Sequence, residues 1–263
     1  LDLHTGVRKW HFQTIHHGLW DYDISCGAIL CDVAIGGKMV KALAQPTKQS
    51  FLYVLNRETG EPIWPIVERK VPKGDVPGEW YSPTQPIPTK PPPLDRQGFT
   101  AADVIDFTPQ LHAEGLRLIK NYVTGPVYTP PTVFRRDGTW GTLTSHRTGG
   151  CAWPGGSYDP ETFTAFIYTK NELDLASMHP NPDKTKSDLA WVMKSGAPKG
   201  DPPLMRDGFE PGRLTVQGLP LPKPPYGRIT AVDMTKGDFK WQVPHGETPD
   251  AIRNHPALKG LSI

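Results

Sequence analysis

"DLHTGVRKW" (2–10), "NRETGEPIW" (56–64) and "DMTKGDFKW" (233–241) share one spacing: Asp or Asn first, Gly four residues on and Trp eight residues on. Each reads as a tight turn between two strands. The Asp or Asn side chain can bond the backbone that follows it, Gly supplies a positive φ, and the Trp on the returning strand can pack against a neighbouring unit. A fourth copy, "YDPETFTAFIY" (158–168), keeps Asp159 but has Phe163 at the Gly position. Runs rich in β-branched and aromatic residues adjoin these turns: "FLYVL" (51–55), "AFIYTK" (165–170) and "RITAV" (228–232). They read as strands ending in hairpins.

Regular recurrence of turn and strand is the signature of a propeller or solenoid. Glycine and proline, 26 and 30 of 263 residues, break helices often and favour short strands joined by long loops. "GEWYSPTQPIPTKPPPLDRQG" (78–98) is too rich in proline for a central strand and reads as a loop. The following stretch, 100–123, opens with Thr100 as N-cap and Asp103 three residues on, and carries Leu111, Leu116, Ile119 and Val123 near helical spacing. A helix broken near Pro109 is expected there. The whole insert, about 78–125, could cover apolar surface or form a wall of an entrance.

Charge excludes more than it suggests. Lys plus Arg number 29 and Asp plus Glu 27, a formal +2, with no like-charge run and no basic residues interleaved with aromatics, so no nucleic-acid partner is expected. No apolar run approaches the roughly 20 residues of a membrane span, and no charged n-region precedes an apolar h-region at the start. Cys26, Cys31 and Cys151 form neither C-x-x-C nor C-x-x-C-H, which excludes covalently attached c-type haem here. They read as small packed side chains rather than a disulfide framework.

The Asp-x-x-x-Gly-x-x-x-Trp turn resembles the tryptophan-docking motif of quinoprotein dehydrogenases. "HHGLWDYD" (16–23), the run from "ALAQPTKQSFLYVL" (42–55) to "SPTQP" (82–86), "GGCAWPGGSYDPET" (149–162) and "KPPYGRITAVDMTKGDFKW" (223–241) resemble the catalytic half of the membrane-type glucose dehydrogenases of that family. The resemblance implies an all-β fold: roughly half of an eight-bladed propeller of four-stranded antiparallel blades, spanning 1–263 and truncated at both ends. It implies pyrroloquinoline quinone (PQQ) near the propeller axis beside a divalent cation, Ca or Mg. It also implies a sugar or alcohol substrate, a quinone or cytochrome electron acceptor, and a periplasmic location with any membrane anchor in a part absent here. Trp10, Trp64 and Trp241 are expected to be buried between blades.

The same resemblance assigns roles. Asp21 takes the position of the catalytic base, since oxidising a hydroxyl requires removal of its proton as hydride leaves carbon. A nearby cation would keep it ionised. Lys48, 27 residues later, matches the basic residue that contacts the quinone and can stabilise negative charge on its oxygens. Trp153 falls where relatives have Asn-Trp against the cofactor; Ala152 replaces the asparagine, which removes the amide contact and leaves the indole as a wall. The glutamate and asparagine that typically hold the cation are expected upstream of Leu1.

Adjacent His16 and His17 would point to opposite faces of an extended segment and so cannot easily share one metal ion. One is expected to line the site. Trp20 and Tyr22 are expected in the core, opposite Asp21, with Asp23 on the face of Asp21 and able to orient it. A non-catalytic propeller scaffold is the competing reading. Retention of both Asp21 and Lys48 argues against it.

Overall fold

The computed structural model describes residues 1–136, 138–147, 149–194 and 214–263. Two sheets organise the site. In the first, β1 (Ile29–Ile35), β2 (Lys38–Pro46) and β3 (Leu52–Asn56) run antiparallel in sequence order. An isolated bridge from Leu55 to Pro62 begins a fourth line beside β3. The second sheet is four-stranded and antiparallel, in the order Gly156–Asp159, Thr164–Lys170, Gly227–Asp233, Asp238–Pro244. The runs read from sequence at 165–170 and 228–232 lie within these strands, and that at 51–55 does so from Leu52 onward.

Between the sheets lies one apolar layer. Val33, Ala42, Ala44, Leu52 and Val54 of the first sheet meet Ala165, Ile167, Val232 and Met234 of the second. Alternation dictates this: β1 sends Cys31 and Val33 inward while Leu30 and Asp32 remain exposed. On the other face of the first sheet, Phe51 and Tyr53 pack with Ile15, Trp20, Tyr22, Val127 and Tyr128. That second layer carries the segment containing Asp21.

The Asx–Gly turns form as the spacing predicts. Asp2 accepts from the His4 and Thr5 amides, Asn56 from those of Glu58 and Thr59, and Asp233 from that of Thr235. The glycine amide closes each turn on the carbonyl of the first residue, at 2.8–2.9 Å. Gly60 and Gly237 have φ of +81° and +69°, and a Cβ on either would strike an indole: that of Trp10 at 2.7 Å or Trp64 at 2.9 Å. Each turn therefore receives the tryptophan of the preceding copy. Trp10 also donates Nε1–H to the Arg57 carbonyl at 3.1 Å.

Burial of these indoles is less complete than expected. Trp10 and Trp64 are half-buried, and Trp241 is 44 % exposed, with no glycine turn among the described residues lying against it. The Asp159 turn forms too, with Phe163 at φ +51° in place of glycine. It joins two strands of the sheet that also holds the Asp233 turn, so it is an internal hairpin rather than another unit.

The insert is partly helical. Thr100 and Asp103 make a capping box around a short 3-10 turn (Ala101–Asp103), and the helix α1 (Pro109–Leu118) begins at Pro109 with Thr108 as its N-cap. Pro109 thus starts the helix instead of breaking it, because the first helical position needs no N–H donor. α1 buries Leu111 against Val104, Ile105, Leu219 and Leu221, which makes the insert a cover over an apolar core. Within the proline-rich stretch, Thr84–Pro88 (β5) pairs with Ile66–Lys70 (β4) as a two-stranded ribbon. The loop expected there is thus partly strand, and prolines are tolerated because a ribbon leaves one edge of each strand unpaired. Two short pairings are parallel, Tyr122–Val123 with 141–142 and Thr132–Val133 with 177–178, so the chain is not wholly antiparallel.

Candidate active site

Asp21 stands between two buried, stacked aromatics. Trp20 and Tyr22 are 2 % and 4 % exposed with ring centroids 5.9 Å apart. Trp20 donates Nε1–H to the Thr129 carbonyl, and the Tyr22 hydroxyl reaches the Val127 and Ser145 carbonyls. These anchors hold both neighbours inward. The residue between them is not extended, as expected from sequence, but left-handed, with φ +63°. Such a conformation is uncommon for a residue bearing a Cβ and costs strain where the surroundings impose it. It leaves the Asp21 carboxylate at the surface, 62 % exposed.

Lys48 lies directly against this carboxylate. Its side chain is only 9 % exposed and its ammonium donates to the Asp21 carbonyl at 2.9 Å, lies 3.6 Å from Asp21 Oδ2 and bonds Asp23 Oδ1. The Lys48 bond holds the Asp23 carboxyl below the ordinary carboxylate range. Two carboxylates and one ammonium leave a single net negative charge. Asp23 is therefore the counter-ion of Lys48 as well as a neighbour of Asp21, a role its alternation with Asp21 in sequence only hinted at.

The segment carrying Trp153 is tied to the same place. Gly150 N–H donates to the Lys48 carbonyl at 2.8 Å and Cys151 N–H to that of Thr47 at 3.2 Å. A Cβ on Gly150 would lie 2.7 Å from the Lys48 carbonyl oxygen and closer still to Ser50 Oγ, so only glycine allows this approach. Trp153 itself is 79 % exposed and lines a groove of about 710 Å³ with Gly27, Arg57 and Tyr158, between the first strands of the two sheets. Asp21 and Lys48 are thus in direct contact, whereas the Trp153 indole faces a groove that neither of them lines, its segment tied to Lys48 only through Gly150 and Cys151.

The two histidines part company as expected. His16 Nε2 is 2.9 Å from Glu68 and His17 Nε2 is 2.9 Å from Glu79. Among the described residues no group of three or more His, Cys, Asp or Glu could hold a metal ion. All three cysteines are free, with Cys31 and Cys151 buried and Cys26 partly so. Sequence reading missed an ion pair between buried Asp95 and partly buried Arg228, where Asp95 also accepts from Thr169 Oγ1 at 2.9 Å. Its only signal was a charged residue inside a proline-rich run.

Residues 1–262 match the family described as glucose/ethanol/alcohol dehydrogenase, beta-propeller domain, designated PQQ. The chain belongs to the PQQ-dependent dehydrogenase family. Among relatives in this quinoprotein family, the glycerol dehydrogenase large subunit of Gluconobacter oxydans is 34 % identical over 268 residues, covering 94 % of this chain and 34 % of the relative. The quinate/shikimate dehydrogenase (quinone) of Acinetobacter baylyi is 29 % identical, covering 95 % of this chain and 31 % of its own. The quinoprotein glucose dehydrogenase of Escherichia coli is 28 % identical, with 96 % and 31 % covered. This member of the family therefore spans about a third of the length of the curated relatives it matches. A solved quinohemoprotein alcohol dehydrogenase from Comamonas testosteroni aligns with 90 % of this chain and 27 % of its own, with a TM-score of 0.43 and 20 % identity.

The site can be tested against a planar, anionic quinone. The exposed Trp153 indole offers such a group a flat face, while the Lys48 ammonium is already engaged by Asp21 and Asp23. A divalent cation finds no complete donor set among the described residues, so no residue is assigned to it.

Proposed function

We propose that this chain supplies the proton-accepting segment of a PQQ-dependent dehydrogenase that oxidises a hydroxyl of an alcohol or a sugar. The contact between Asp21 and Lys48, 27 residues apart in sequence, carries the reading. Bound PQQ would supply the two-electron, hydride-accepting chemistry. Asp21 takes the hydroxyl proton of the substrate on its exposed carboxylate, and the flanking Trp20 and Tyr22 fix where that carboxylate stands. Lys48 orients Asp21 through its carbonyl and Oδ2. Asp23 holds the ammonium in place. Trp153 offers a flat face to the ring system. Electrons then pass to a quinone or cytochrome acceptor.

A scaffold has no use for a left-handed aspartate above a buried lysine, so strain and desolvation at this point favour catalysis. We place the intact protein on the periplasmic side of the membrane; no helix among the described residues is long and apolar enough to cross one. The test is reconstitution of the intact protein with PQQ and calcium or magnesium, followed by dye reduction across a panel of sugars and alcohols. No dye reduction with any of them overturns the reading.

A further inference from the structure

Beside the Asp21 cluster the same segment carries a second exposed arrangement. Gln85 is fully buried and holds the His16 backbone from both sides, accepting from its N–H at 2.8 Å and donating to its carbonyl at 2.7 Å. The next residue, His17, has φ +48°. Its imidazole Nε2 lies 2.9 Å from Glu79 Oε1, and its ring stands edge-on to Trp80 at 4.9 Å and 82°. Glu79 Oε1 also accepts from the Trp80 amide at 2.8 Å.

The loop that carries Glu79 and Trp80 is built rather than loose. Tyr81 OH accepts from the Val76 amide at 3.1 Å, while Asp75 accepts from the Val133 amide at 3.0 Å and pairs with Arg135 at 2.5 Å. Despite this support the Trp80 indole remains 57 % exposed. An indole anchored through its backbone amide and left open to solvent, beside an imidazole and a carboxylate, combines an apolar face with hydrogen-bonding groups at its edge. His17 precedes Asp21 by four residues, so their backbones are at most about 14 Å apart. Both groups therefore belong to one short exposed stretch of chain.

We propose that Trp80, with the His17–Glu79 pair, is a specificity-determining platform that receives the face of a cyclic polyhydroxy substrate while one of its hydroxyls meets Asp21. The inference rests on Asp21 as proton acceptor. The axial C–H face of a pyranose or a cyclohexane polyol is apolar and stacks on an indole, and its rim hydroxyls suit the imidazole and the carboxylate. A short linear alcohol has no such face.

The experiment uses the intact protein reconstituted with PQQ and calcium, with glucose and 1-propanol as probes. Trp80→Ala is expected to lower the ratio of kcat/KM for glucose to that for 1-propanol by about tenfold, through KM rather than kcat, and Trp80→Phe to restore most of it. Saturation-transfer NMR with glucose in the Asp21→Asn background reads binding without turnover, and Trp80→Ala should abolish the transfer there. An unchanged ratio, an equal loss for both substrates, or undiminished transfer overturns the platform. If the wild type oxidises neither probe, the NMR comparison decides the role of Trp80, and the wider substrate panel decides that of Asp21.

Discussion

Gly60→Ala in the intact protein probes the docking contact that organises the fold. Two costs add. Alanine at φ +81° takes on the left-handed penalty, about 1 kcal/mol, and its Cβ meets the Trp10 indole at 2.7 Å. Relieving that overlap is a small-to-large change in a packed contact, worth roughly 1–3 kcal/mol, for a total of about 2–4 kcal/mol. Trp10→Ala alone should cost about 2 kcal/mol, since the indole is half-buried and a fully buried one costs roughly 3–5 kcal/mol. Once the indole is gone, Gly60→Ala retains only its conformational penalty. The double variant should therefore fall short of additivity by about 1–3 kcal/mol. Urea unfolding of the wild type, both single variants and the double variant measures this. Strict additivity would show that Trp10 does not rest on Gly60 and would remove the docking argument, and the Gly237–Trp64 pair should behave in the same way.

Asp21→Asn should leave PQQ binding largely intact and reduce turnover by roughly two or more orders of magnitude, measured by cofactor titration and dye reduction; near-normal turnover removes Asp21 from the mechanism. Because the Lys48 bond lowers the folded-state pKa of Asp23, its contribution to stability is present above the unfolded carboxylate value of about 3.9 and is lost as pH falls through the lowered one. Asp23→Asn should accordingly flatten the acid limb of a stability–pH curve while leaving its slope near pH 7 unchanged. Purified alone, the 263-residue chain should self-associate and show no PQQ-dependent oxidation of glucose or ethanol, since Trp241 is 44 % exposed and nothing lies within 4 Å of a Cβ placed on Gly6. A monodisperse monomer in sedimentation, or measurable turnover, refutes that expectation.

The sequence by itself determined the turns and the main strands, because these depend on short-range rules. An Asx side chain bonds backbone two or three residues on, glycine takes positive φ, and Thr100 with Asp103 caps its own turn whatever surrounds it. Packed free cysteines follow from composition in the same way. Only the tertiary structure decided what each turn docks against, and so why Trp10 and Trp64 find a glycine while Trp241 does not. It decided that the Asp159 turn shares a sheet with the Asp233 turn, since strand pairing is set by packing across dozens of residues. The left-handed Asp21 and His17 were not legible either. Their conformations are imposed by Thr129, Val127, Ser145 and Gln85, residues 68 or more positions away, and those distant anchors present the carboxylate and the imidazole as they stand.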